Sequence, residues 1–173
     1  SQGNISEAAK YYQSFVNQGY EDQRVFSNYG MILRGLGKLK EAELILRKAI
    51  QIDSDFAIAH YNLGNVLRDI GNLQDAEISY RKSIKLNPTL ANAHLNLGNI
   101  LRDLGNLKEA ELSLRKVIEL KPDLPIAYLN LGNILKDLER INEAVISLRK
   151  AIQIKSDYAE AHYNLGIILR DLG

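Results

Sequence analysis

The chain has no cysteine, no tryptophan, three prolines and one methionine, and its formal net charge is only +1 over 173 residues. Without cysteine there is neither a disulfide nor a thiolate zinc site, which fits a reducing compartment. Its 22 basic and 21 acidic residues are interspersed, so no global field draws the protein to nucleic acid or to an anionic membrane. No run approaches the roughly 18 consecutive apolar residues of a membrane-crossing helix. The N-terminus also lacks the basic-then-apolar form of a secretory signal. The chain is therefore read as cytoplasmic, binding neither nucleic acid nor membrane. At 46% hydrophobic and 25% charged, its composition is that of an ordered globular protein rather than a disordered one.

What the sequence does have is a period. Gly30, Gly64, Gly98, Gly132 and Gly166 are 34 residues apart, and so are Ala8, Ala42, Ala76, Ala110 and Ala144, with no insertion or deletion in either series. Such self-similarity marks a repeat architecture. With each of these glycines set at position 8, the complete repeats are 23–56, 57–90, 91–124 and 125–158. Residues 1–22 are then the second half of a preceding repeat, and 159–173 the first half of a following one. The expectation is one continuous array over 1–173.

Within a repeat the apolar spacing is helical twice over. In 57–90, Ala59, Leu63, Val66, Leu67 and Ile70 form one stripe, and Leu73, Ala76, Tyr80, Ile84 and Leu86 a second. Gly71 stands where a helix C-cap takes positive φ, and Pro88 where the second helix must stop. Each repeat is thus a helical hairpin, which cannot bury both stripes alone, so hairpins stack into an all-α solenoid.

Leu63, Gly64, Leu67, Gly71, Ala76, Tyr80 and Pro88 resemble the signature of the tetratricopeptide repeat family, and Leu97, Gly98, Leu101, Gly105, Ala110, Leu114 and Pro122 repeat it. The resemblance covers essentially the whole chain and implies a right-handed α-solenoid. The strict 34-residue period speaks against the related 35-residue pentatricopeptide repeats that read RNA. One departure stands out: the mid-repeat glycine is replaced by Glu139, so the turn after Leu138 is expected to be less regular than its siblings.

A turn of about 100° per residue puts positions 3, 7, 10, 11 and 14 of the first helix on the core side and positions 2, 5, 6, 9, 12 and 13 opposite. The opposite arc holds Asn62, Asn65, Arg68 and Asp69, then Asn96, Asn99, Arg102 and Asp103, then Asn130, Asn133, Lys136 and Asp137. Asn28 and Asn164 complete the position-6 series, and Arg34 and Arg170 the position-12 series. In tetratricopeptide arrays this arc lines the concave groove. The resemblance therefore implies that these asparagines and cations bind an extended peptide, whose alternating N–H and C=O groups suit carboxamides that both donate and accept. The alternative is that the amides solvate a helix face or bond between repeats. Binding is preferred, because a merely solvated face is better served by stronger helix formers. A chaperone-tail clamp would need lysines near positions 2 and 5, where Ile58, Tyr61, Asn92, Leu95, Ile126 and Leu129 stand.

Asp69, Asp103, Asp137 and Asp171 lie in the last turn of a helix, where the macrodipole disfavours a carboxylate by about 0.3–1 kcal/mol. Each is expected to pair with a position-12 cation of a neighbouring repeat or with a ligand. On the second helix, Arg47-Lys48, Arg81-Lys82, Arg115-Lys116 and Arg149-Lys150 form a basic row, read as structural because Glu43, Glu77 and Glu111 precede the first three arginines by four residues. Leu44, Ile78, Leu112 and Ile146 fall amid the polar arc of that helix. They either form a second contact surface or are partly shielded by adjacent repeats, and partial shielding is the expectation.

No catalytic grouping emerges. The three histidines, His60, His94 and His162, share one packing position, no cysteine or carboxylate cluster marks a metal site, and every glycine serves packing or helix ending rather than a phosphate loop. The chain is expected to be non-enzymatic and without cofactors, a scaffold for a protein or peptide partner. The alternatives are the substrate-recruiting array of a larger transferase, as in glycosyltransferases, and a self-assembling module. For the last, the half-repeats are expected to expose Ala8, Tyr11, Tyr12 and Phe15 at one end and Leu165, Ile168, Leu169 and Leu172 at the other, inviting head-to-tail stacking.

Overall fold

The structure, a computed structural model, describes residues 2–172, with side chains from Glu7 onward. It divides into two compact units, residues 1–90 and 91–173. The first unit holds α1 (Gln2–Asn17), α2 (Gln23–Gly35), α3 (Leu39–Ile52), α4 (Ala57–Ile70) and α5 (Leu73–Leu86). The second holds α6 (Ala91–Asp103), α7 (Leu107–Leu120), α8 (Pro125–Asp137), α9 (Ile141–Ile154) and α10 (Ala159–Leu172). No strand occurs among the described residues. The hairpins are α2–α3 and α4–α5 in the first unit and α6–α7 and α8–α9 in the second, each stacked on its neighbour within the unit.

The hairpins close around the position-8 glycines. A Cβ placed on Gly64 would lie 2.7 Å from the Tyr80 ring, and on Gly132 2.8 Å from the Leu148 side chain. Gly30 faces Leu46 and Gly98 faces Leu114 in the same way, so position 8 of each complete repeat receives the side chain of position 24. The position-20 alanines, Ala42, Ala76, Ala110 and Ala144, are fully buried in the same contact. Around it pack Phe26, Tyr29, Leu33 and Leu46 in the first unit, and Leu97, Leu101, Leu114, Leu135 and Leu148 in the second. The core stripe follows the expected positions except at its outer end, where Ile70 is exposed; Leu129, on the arc assigned to the groove, is fully buried instead.

Helix ends follow local chemistry. Asp22 caps α2, accepting from the N–H groups of Arg24 and Val25 at 2.8 and 3.2 Å. The hydrogen bond from the Arg24 side chain and those from the backbone lower its pKa to about 2. Gly71 and Gly105 end α4 and α6 at φ +92° and +80°. α5 stops at Leu86, ahead of Pro88, and Pro125 opens α8 at its first turn.

The turn at Glu139 differs from expectation. Glu139 adopts φ +60°, its N–H reaches the Lys136 carbonyl at 2.9 Å, and that of Arg140 reaches the Leu135 carbonyl at 2.8 Å. Gly105 and Asn106 make the same pair of bonds at 2.9 and 2.7 Å, so the turn is as regular as its siblings. A glutamate is held in the left-handed region at a cost of about 1–2 kcal/mol. Next to it, Arg140 donates to both Glu143 oxygens and to Glu111, each at 2.6–2.7 Å, which pins the start of α9. The Glu143 hydrogen bonds, then those of Glu111, raise the Arg140 pKa against the opposing effect of burial.

At the ends, Tyr11, Leu169 and Leu172 are exposed as expected, but Ile168 is buried and Ala8 and Leu165 are half-buried. Tyr12 stacks on Tyr29 and Phe15 tilts against Tyr20, which leaves both half-buried as well.

Glycine at position 8 therefore has opposite meanings in different repeats. We predict that Gly132→Val lowers stability by about 1–3 kcal/mol through overpacking against Leu148. A Cβ on Gly166 would meet nothing within 4 Å, so Gly166→Ala is predicted to raise stability by about 0.5–1 kcal/mol through helix propensity. Urea unfolding measures both, and effects of the same sign would contradict the packing assignment. Glu139→Gly is predicted to stabilise by up to about 1 kcal/mol, once the greater freedom of glycine in the unfolded chain is subtracted. A lower melting temperature for that variant would show that the φ +60° conformation carries no strain.

Candidate functional site: the first-helix face

The first helices of the hairpins, α2 and α4 in one unit and α6, α8 and α10 in the other, carry the asparagine and cation rows. The two units use the same residues differently. In the first, Asn62 and Asn65 are only 7% and 3% exposed. Asn62 donates from Nδ2 to the Ser27 hydroxyl at 2.9 Å, and Asn65 accepts at Oδ1 from the Tyr80 hydroxyl at 2.9 Å. The expectation that these two amides face an open groove is corrected: they are buried parts of the packing. Asn28 is exposed.

In the second unit, Asn130 Nδ2 donates to Asn99 Oδ1 and Asn164 Nδ2 to Asn133 Oδ1, both at 2.8 Å. In these two pairs position 6 of one repeat bonds to position 9 of the repeat before, and all four amides, like Asn96, remain half-buried. One difference between the units lies at position 24. Tyr80 offers a hydroxyl that draws Asn65 inward, whereas Leu114 and Leu148 in the same place have nothing to donate. The first unit also has Met31 at position 9, so Asn62 turns to Ser27 instead.

The position-12 cations meet the position-13 aspartates. Arg34 Nε donates to Asp69 Oδ2 of the next repeat at 2.6 Å, and Arg102 Nε to Asp137 Oδ2 at 2.7 Å. Arg68 adds a contact to Asp69 at 3.2 Å. Burial pushes the Asp69 pKa up, but the hydrogen bonds of Arg34 and Arg68 and their charges outweigh it, so the carboxyl sits below its ordinary value. Arg170 pairs with adjacent Asp171 at 2.8 Å, within its own repeat. Lys136 and Asp103 make no ion pair among the described residues.

On the second helices, Arg47, Arg81 and Arg115 pair with Glu43, Glu77 and Glu111 at 2.7–2.8 Å, the expected i,i+4 arrangement. At position 22, Leu44, Ile78, Leu112 and Ile146 are 60%, 64%, 67% and 68% exposed, so shielding there is partial and most of each side chain stays open. His60 and His162 bond through Nε2 to the carbonyls of Ser54 and Ser156, both at 2.9 Å, which ties the inter-repeat loop to the next helix. Among the described residues there is no cluster of three or more metal-ligating side chains. No helix among the described residues is long and apolar enough to cross a membrane.

Sequence reasoning misses Ser27 and Tyr80 as partners of the amides. The signal is present in the position-24 series of Leu46, Tyr80, Leu114 and Leu148, where one residue alone carries a hydroxyl.

Comparison with known proteins agrees with this geometry. A TPR repeat model matches residues 30–71, 98–138 and 132–173, and two tetratricopeptide repeat models match 57–90 and 79–111. No curated protein sequence matches the chain. Among solved structures, MamA is similar at 25% identity and a TM-score of 0.84, with 91% of this chain and 92% of that chain covered. YrrB, described as a TPR protein with an unusual peptide-binding site, is 23% identical with a TM-score of 0.82, covering 94% of this chain and 84% of its own. PilF of Pseudomonas aeruginosa is 21% identical with a TM-score of 0.77, covering 97% and 70%. Helical hairpins at a 34-residue period, closed on glycine and matched by family models over most of its length, place this chain in the tetratricopeptide repeat family.

Proposed function

We propose that the chain is a protein-interaction scaffold that holds an extended segment of a partner along its first-helix face, and that the working row lies in the second unit. The amide chain there carries the reading. Asn99 and Asn133 accept at Oδ1 and keep Nδ2 hydrogens for a ligand, while Asn130 and Asn164 donate one hydrogen and keep Oδ1. Donors and acceptors therefore remain on half-exposed groups, as an extended backbone requires. Lys136 adds a cation without an ion pair beside them, whereas Arg102 is already held by Asp137. The peptide-binding site named for YrrB supports peptide binding as the class of activity. Asn62 and Asn65, being buried, serve the fold.

The test compares two variants in pull-downs from the source cell's lysate, with circular dichroism as the control for folding. We predict that combined Asn99→Ala, Asn130→Ala and Asn133→Ala stays folded and loses partners. Asn62→Ala is predicted to keep partners but to lose about 1–3 kcal/mol of stability, because the buried Ser27 hydroxyl loses its partner. Partners retained by the triple variant would sink the proposal.

A further inference from the structure

The exposed aliphatic at position 22 belongs to a cavity in the first unit that the scaffold reading does not use. It lies on the second-helix side, between α3 and α5 and over α4, with a volume of about 560 Å³. That is room for several side chains of a ligand. Ile50, Leu63 and Ile78 supply its apolar wall, and Arg47, Lys82 and His60 its polar rim. No carboxylate lines it.

Both rim cations have capacity to spare. Arg47 gives Nε and Nη2 to a single oxygen of Glu43, at 2.9 and 2.8 Å, so its Nη1 end stays open. Lys82 stands 3.7 Å from Asp55, whose side chain is 75% exposed, a loose pair that contributes little. The equivalent place in the second unit has the same exposed aliphatic, Ile146, but different surroundings. Tyr128 replaces His60 with a larger ring, and Glu119 replaces Gln51, with its carboxylate held by Lys116 at 2.7 Å. An acid already sits where the first unit has none.

We propose that this cavity is a docking site for a short protein segment that carries an aliphatic residue next to a carboxylate. The aliphatic side chain covers Ile78 and enters between Ile50 and Leu63, removing apolar surface from water on both partners. The carboxylate reaches Arg47 Nη1 or Lys82 Nζ at the rim, where a charge-assisted hydrogen bond fixes orientation. The site is separate from the amide row and independent of it.

The experiment titrates the 15N-labelled chain with the acetylated and amidated peptide Glu-Leu-Asp-Leu-Glu, and with Lys-Leu-Asn-Leu-Lys as its charge-reversed control. Amide resonances of Arg47, Ile50, Ile78 and Lys82 are expected to shift with the acidic peptide and to respond about tenfold more weakly to the basic one. Ile78→Asp is expected to abolish the shifts, and Gln51→Glu to weaken binding about tenfold. Both residues are exposed, so either variant keeps the fold. In the combined Asn99→Ala, Asn130→Ala and Asn133→Ala variant the peptide-induced shifts of Arg47, Ile50, Ile78 and Lys82 are expected to persist, whatever becomes of shifts on the first-helix face. Equal response to the two peptides, shifts confined to the first-helix face, no shift at millimolar peptide, or a response to phosphatidylserine vesicles in place of the peptide would each overturn the proposal.

Discussion

Everything in this fold depends on how closely the two helices of a hairpin approach each other at position 8. A side chain there would stand 2.5–3.0 Å from the position-24 residue in each of the four complete repeats, so glycine sets the hairpin spacing. The spacing then brings the position-20 alanines to full burial and aligns successive first helices on one face of a unit. Removing a side chain from a helix interior costs about 0.5–1 kcal/mol in propensity. Each fully buried Leu on the facing helix offsets that with about 1.5–3 kcal/mol of transfer free energy.

The same contact decides the chemistry of the functional face. Position 24 faces glycine on one side, and its tip reaches position 9. A tyrosine there bonds to Asn65 and closes the amide into the core, while leucines leave Asn99 and Asn133 to the next repeat. A packing residue on the second helix thus adds a hydrogen bond to one first-helix amide that leucine cannot supply to the others. The ion pairs follow a similar division. Asp69 and Asp137 are met by arginines one repeat earlier, which answers the helix dipole and leaves Lys136 as the cation with no ion pair among the described position-12 residues.

The period, the hairpins, the glycine contacts and the i,i+4 pairs are legible in the sequence, because each follows from spacing along one helix or between two joined by a short turn. The fate of Asn62 and Asn65 is not, because it depends on which side chain of another helix ends within hydrogen-bond reach. The turn at Glu139 is misread for a related reason. The absent glycine is visible, but the neighbouring backbone bonds and the Arg140 cluster impose the left-handed turn regardless. Leu44, Ile78, Leu112 and Ile146 can be located in the sequence, but their exposure cannot be settled there, since shielding depends on how far the adjacent repeat extends.

The hydrogen bonds that tie one repeat to the next span no more than 35 residues of chain, as from Asn62 to Ser27, Arg34 to Asp69 and Arg102 to Asp137. Loop closure is therefore short and of nearly constant length however many hairpins a unit contains. Contacts of such low order let folding begin at any hairpin and spread to its neighbours, so conformational search grows slowly with size. The corollary is a graded tolerance of damage: a lesion in one hairpin is felt most by the hairpins it touches, and an outermost helix frays before an inner one.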